Sequence, residues 1–290
     1  MSLDTMFAAK PALRLRFRPV SLYISLVLLA VLALLATFGP LILPDPAKLN
    51  VTKTFIPPGG EFLLGTDELG RDVLSRVATG LRYSILTALL GTLVGAAVGI
   101  TCGLLSGFFG GLVDRILMRI VDIQIVMPQL LLVLLVVVVL RPGLVTIVIA
   151  LALSCWYVFA RVARAQVLSL RDQDMISGMI AVGMTRTRLL LFHVLPNISG
   201  PLIALATLEV AHLILAEASL GFLGLGLPPP LPTLGRMVAE GKTVLLIGKW
   251  WPALMPGLVI SLLIFSVSQI GDWLQRHLDP RQRLKGSIGV

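Results

Sequence analysis

The chain has 290 residues, 57% of them hydrophobic and only 13% charged, against about 25% charged in ordinary soluble domains. Long apolar runs place it in a bilayer before any motif is read. The net charge of +9 would suit a nucleic-acid partner, but Lys and Arg gather at the ends of the apolar runs. That pattern orients a membrane protein, so no nucleic acid is expected among its partners and membrane lipids are.

A bilayer core of about 30 Å takes roughly 20 apolar residues in helical form. Six segments meet that need: residues 20–43, 85–109, 120–140, 144–160, 198–218 and 252–273. No alternating pattern with closely spaced turns suggests a barrel, so the spans are expected to be helices. The first follows a basic stretch with Lys10, Arg14, Arg16 and Arg18. It outruns the apolar core of about 7–15 residues in a cleavable signal peptide, so an uncleaved span is expected.

After the first span, residues 65–76 read GTDELGRDVLSR, a dense group of turn and cap residues. Asp67 is expected to cap a short helix, with Gly70 relaxing the turn. Val73, Leu74 and Val77 give that helix an apolar face, so it would lie amphipathically on the outer membrane interface. Thr66, Asp67, Gly70, Arg71 and Asp72 then form a loop that either plugs the bundle or docks an external partner. On this reading residues 1–82 hold the tail, the first span and the outer loop, and residues 83–290 hold a five-helix core.

The second span carries Gly91, Gly95, Gly99, Gly103 and Gly107 at intervals of four. Such a row is one ridge of a helix, stripped of side chains, against which another helix packs closely. The third span opens with Asp114, Arg115, Arg119 and Asp122 and meets Pro128, which should kink it. Cys102 and Cys155 both fall inside spans and read as small packing residues.

Between the fourth and fifth spans lies a basic island, residues 161–197, too long and too patterned to be a plain connector. With six spans both chain ends share a side. The larger share of the 24 Lys and Arg residues falls on the two ends, the loop before the third span and the island, which puts all of these in the cytoplasm. In the fifth span Glu209 and His212, three residues apart, share a face. An ionisable group in lipid costs several kcal/mol, so Glu209 either lines a polar path or bonds to a neighbouring helix. Glu217 is expected to reach the outer interface.

Several sharper motifs fail on inspection. Gly241-Lys242-Thr243 resembles the end of a phosphate loop, but Arg236 stands where that loop needs its first glycine, and the segment falls on the outer side. One His and one Glu are too few for a metal centre. No nucleophile–base pair is readable, so the chain is not expected to be an enzyme. Asn197-Ile198-Ser199 matches a glycosylation triplet at the cytoplasmic boundary and reads as chance.

Taken together, the GTDELGRDVLSR segment resembles the signature of permease subunits in peptide and nickel ABC importers, with the C-type subunits of dipeptide and oligopeptide systems the nearest pattern. Asp114-Arg115, Met118-Arg119, Asp122 and Pro128 resemble the start of the family's third span. Ala181, Gly183 and His193-Val194-Leu195-Pro196-Asn197 resemble its cytoplasmic coupling motif. Phe222-Leu223-Gly224-Leu225-Gly226 with Gly235 resembles the loop after the fifth span, and Gly271-Asp272-Trp273-Leu274 with Leu278-Asp279-Pro280-Arg281 its C-terminus. Two positions depart: Ser177-Gly178-Met179 stands where the family carries Glu-Ala-Ala, which bears on the strength or partner choice of the coupling contact, and Leu234 replaces a Trp.

The resemblance implies an all-α integral membrane fold, a type I ABC importer permease with six transmembrane helices and a cytoplasmic coupling-helix loop. It implies that Met175, Ile176, Ser177, Met179, Ala181, Gly183, Arg186, Arg188, Leu195 and Pro196 meet a separate ATPase. The expected partners are a second homologous permease, two cytoplasmic ATPases that bind ATP-Mg, and an extracytoplasmic substrate-binding protein, with no cofactor in this chain. Peptides are the expected solutes, and nickel chelates, opines or glutathione the alternatives. Two rivals make different demands. A proton-coupled secondary transporter would use Glu209 and His212 as a relay without ATPases, and an intramembrane enzyme would need a polar cluster converging from several spans.

Overall fold

The computed structural model describes residues 19–171, 179 and 182–278. Among these the regular structure is helical, with two isolated bridges in the outer loop, Gly59 to Phe62 and Thr66 to Asp72. The helices are α1 (Pro19–Ile42), α2 (Val73–Phe109), α3 (Gly111–Val126), α4 (Gln129–Leu140), α5 (Leu144–Arg171), α6 (Arg186–Phe222), α7 (Leu234–Gly241) and α8 (Trp251–Leu278). Five are long and apolar enough to cross a membrane, and the bent pair α3–α4 brings the number to six.

The glycine ridge organises the core. Gly91, Gly95, Gly99, Gly103 and Gly107 face α5, and their partners on α5 rise in step from Leu151 to Val167, so the two helices run parallel. A Cβ at Gly91 would lie 2.9 Å from Leu151 Cβ, at Gly103 2.6 Å from the Ala160 carbonyl oxygen, and at Gly107 2.8 Å from Val167 Cβ. Gly95 abuts Cys155, which is a buried free thiol packing against the ridge, as expected. Lipid gives helices no hydrophobic reason to associate, so close van der Waals contact along such a ridge supplies the attraction.

Contacts at the ends fix the up-and-down course. Gly39, near the end of α1, meets Ala78 near the start of α2. Ser84 of α2 bonds Glu217 late in α6, and Gly200 early in α6 meets Leu278 at the end of α8. The starts of α1 and α6 therefore share one end of the bundle with the ends of α2, α5 and α8. The starts of α2, α5 and α8 share the other.

Three expectations about the elements need correction. The third span is not one kinked helix: α3 and α4 meet at 96°. Pro128 has no N–H to continue the first helix and pushes Met127 into an extended conformation (φ −77°, ψ 127°). Its own carbonyl then accepts from Leu131 N at 3.0 Å and starts a new helix. The second span begins at Val73, not at residue 85, and runs unbroken through residues 82 and 83. Val73 and Val77 are fully buried within α2, so residues 65–77 form no separate amphipathic helix on the interface. At 37 residues this helix is about 55 Å long, more than the bilayer needs. Finally, the helix-capping residue is Asp72, whose carboxylate accepts from Leu74 N at 3.1 Å, and Asp67 caps nothing.

The fifth span likewise begins early, at Arg186. Residues Leu190–Val194 form a π-helical turn, closed by Leu195 N donating to Leu190 O. Pro196 stands just beyond it. A proline inside a helix lacks one donor and its ring crowds the carbonyl four residues back, and here the helix departs from regular α geometry directly before it.

Candidate functional site: the inner loop, the outer ion network and the mid-membrane pair

The inner end is built around the connection from α5 to α6. Met175, Ile176, Ser177 and Ala181 lie outside the described residues. Gly183 sits at φ +86°, a left-handed conformation that glycine adopts without strain, and a Cβ there would meet nothing within 4 Å. Beside it Val182 is 90% exposed. Met184 N donates to Met179 O at 3.1 Å, and Met179 packs on the hydrophobic core. The loop is anchored at both sides: Arg171 Nη1 donates to Phe108 O at 3.5 Å, and the Arg186 guanidinium lies 5.8 Å from the Phe109 ring centre. Arg164 grips Asp114 with two bonds of 2.6 and 2.7 Å, and Ser106 donates to the same carboxylate, tying α5, α3 and α2 together. Arg188 and Pro196 are exposed and Leu195 is half-buried. This end therefore offers a braced base on which Val182, Gly183, Arg186 and Arg188 are exposed.

The outer end holds a buried ion network that the sequence only half disclosed. Thr66 and Asp67 are buried rather than splayed on the surface. Thr66 Oγ1 donates to Lys53 O at 2.6 Å and accepts from Ile56 N at 2.8 Å, and Trp251 Nε1 donates to its carbonyl at 2.9 Å. Asp67 accepts from Leu69 N and Arg71 N at 2.9 Å, from Arg71 Nε at 2.6 Å, and from Arg76, which is itself 4% exposed. Arg76 also donates to Glu240 at 2.8 Å, and Arg236 reaches Glu240 at 3.1 Å. Gly70, at φ +70°, leaves room only for hydrogen because the Asn50 backbone presses on it. Burial pushes the Asp72 carboxyl above its ordinary value, while N–H bonds from Leu74 and Ser75 pull the other way. The result locks the outer loop onto the start of α2, α7 and α8. Arg76, Arg236, Glu240 and Trp251 were missed in the sequence, where no spacing links residues so far apart.

Halfway across the bundle, Glu209 and His212 do share a face of α6, with Oε1 and Nδ1 3.9 Å apart. Glu209 is buried, whereas the His212 side chain is 72% exposed. Glu217 does not reach the outer interface as expected. It is 1% exposed and accepts from Ser84 Oγ at 2.6 Å, because its side of α6 packs on α2.

A comparison with known proteins matches residues 99–284 to the family described as "Binding-protein-dependent transport system inner membrane component". This chain belongs to that family. It is similar to the dipeptide transport system permease protein DppC of Bacillus subtilis (strain 168), 36% identical over 89% of this chain and 81% of that one. It is 38% identical to the di/tripeptide permease DppC of Pseudomonas aeruginosa (strain UCBPP-PA14), over 85% and 83% of the two chains. To the oligopeptide permease OppC of Bacillus subtilis (strain 168) it is 37% identical, over 93% and 88%. Among solved structures, an inward-facing MetNI methionine ABC transporter aligns with a TM-score of 0.56 at 19% identity, over 70% of this chain and 96% of that chain. That likeness speaks for the fold, a type I ABC importer permease. As an inner membrane component of this family, the chain is a transport permease of several apolar helices.

Proposed function

We propose that this chain is one of two permease subunits forming the translocation path of an ABC importer for short peptides. Solute arrives on an extracytoplasmic binding protein, and ATP-Mg is bound and hydrolysed by two separate cytoplasmic ATPases. The observation that carries the reading is the relationship, over 85–93% of this chain, to permeases named for dipeptide, di/tripeptide and oligopeptide transport. The geometry supports the division of labour. The loop around Gly183 projects from the end shared by the start of α1 and the end of α8, which the basic bias assigns to the cytoplasm. There an ATPase contacts Gly183, Arg186 and Arg188 together with the residues from Met175 to Ala181. A differential contact of this kind shifts the bundle between inward- and outward-open states. The Gly241 backbone is packed against Pro252 and Ala253, which leaves no open loop to cradle a phosphate. Glu209 and His212 line the path.

Uptake of labelled dipeptides and tripeptides by cells carrying the complete system, with and without this chain, tests the proposal. Peptide uptake that disappears with the chain supports it. Uptake of a nickel chelate, an opine or glutathione that disappears while peptide uptake persists would replace the solute class.

A further inference from the structure

Several ionisable groups in this bundle make close bonds among the described residues: Asp114 with Arg164 and Ser106, Asp67 with two arginines, and one oxygen of Glu217 with Ser84. Glu209 has only a loose ion pair with His212. The residue is 8% exposed, and its described polar neighbour, His212, stands 3.9 Å away, beyond hydrogen-bond reach. Cys155 and Tyr157 of α5 lie within its electrostatic field. His212 points out of the bundle about 15 Å from the outer end of α6, close to mid-bilayer depth. A side chain so polar and so exposed at that depth belongs in water or protein, not lipid. From His212 the exposed side of α6 continues through Leu215 to Phe222, apolar positions leading toward the outer mouth.

We infer that Glu209 and His212 form a subsite on the path wall for the free ammonium group of the transported solute. This rests on the peptide reading and adds which part of the solute the permease itself recognises. An ammonium has three donors. One reaches the Glu209 carboxylate, and a second reaches the imidazole when it is neutral. A carboxylate would be repelled by Glu209, and an uncharged end would bring at most a weaker, neutral donor. The pair gives a moving zwitterion a foothold after it leaves the binding protein, and the gap between the two side chains is what an N–H donor fills. Glu209 acts here as a binding residue.

The test is uptake by cells carrying the complete importer with wild-type, Glu209→Gln or Glu209→Asp permease, using a tripeptide and its N-acetyl derivative. Loss of a hydrogen bond to a charged group predicts that Glu209→Gln lowers Vmax for the free tripeptide at least about tenfold. KM, set by the binding protein, stays put, and Glu209→Asp restores most of the rate. The acetylated peptide should lose far less. Gln fills the same space without the charge, so the amount of folded permease in the membrane should not fall. Equal Vmax in wild type and Glu209→Gln, equal fractional losses for both solutes, or a loss matched by missing protein would each overturn the subsite. Wild-type cells that import no peptide would instead refute the peptide reading itself, and the ligand class with it.

Discussion

The parallel contact of α2 and α5 makes a quantitative demand on Gly103. An alanine Cβ there would lie 2.6 Å from the Ala160 carbonyl oxygen, 2.6 Å from Ala163 Cβ and 2.9 Å from Arg164 N. Ordinary carbon contacts sit at about 3.5–4.0 Å, so the helices must part by about 1 Å, and two of the three obstacles are backbone that no rotamer change can move. Replacing glycine by alanine in a helix gains about 1 kcal/mol, while overpacking costs about 1–3 kcal/mol. Because the separation also loosens Gly99 and Gly107, the upper end applies, and Gly103→Ala should destabilise the bundle by about 2 kcal/mol. Gly257 in α8 is the control: a Cβ there would find its nearest neighbour, Val238 Cγ2, at 3.9 Å. Gly257→Ala should therefore leave stability unchanged or raise it by up to about 1 kcal/mol. Thermal unfolding midpoints of the purified proteins in one detergent decide. If Gly103→Ala matches or exceeds wild type, the ridge is not a packing surface under compression and the reasoning fails.

Other sites give further expectations. Asp67→Asn leaves Arg76 buried with half its partners, so it should cost about 3–5 kcal/mol, visible as protease cleavage in the outer loop. Separating Arg164 from Asp114, whose side chains are 32% and 23% exposed, should cost only about 1 kcal/mol in a double-mutant cycle and less in high salt. Gly183→Val strains a left-handed position by about 1–2 kcal/mol yet meets no neighbour. It should leave the permease in the membrane while ATP hydrolysis by the assembled importer no longer drives uptake; unchanged uptake in reconstituted vesicles would count against the coupling role.

The parts of this fold that were legible in the sequence are those written in local spacing. Five glycines at intervals of four announce a close helix contact, and they make one. Pro128 announces a break, because the missing N–H is a property of one residue. The 96° size of the break was not legible, since it depends on where α4 finds a surface on α5. The early starts of α2 and α6 were hidden because polar residues such as Arg76 and Arg188 look like loop when read by hydropathy alone. Glu217 was misplaced for a similar reason: its partner Ser84 is 133 residues away, and no pattern joins the two. The outer network spans a comparable gap, 164 residues from Arg76 to Glu240. In the sequence Asp67 looks like a cap, because Asp before a helix usually is one, and only the fold shows that it is held by two arginines instead.

In the proposed importer, ATP-driven motion enters this chain at the loop around Gly183. Val182, 90% exposed beside it, is the reporter. In the assembled importer, Val182→Cys should react with a membrane-impermeant maleimide only from the cytoplasmic side. A short bifunctional reagent should join it to an ATPase subunit, with a yield that changes when ATP is added. Labelling from the outer side, or a complex that transports solute while this cysteine stays free of any ATPase contact, would contradict the account.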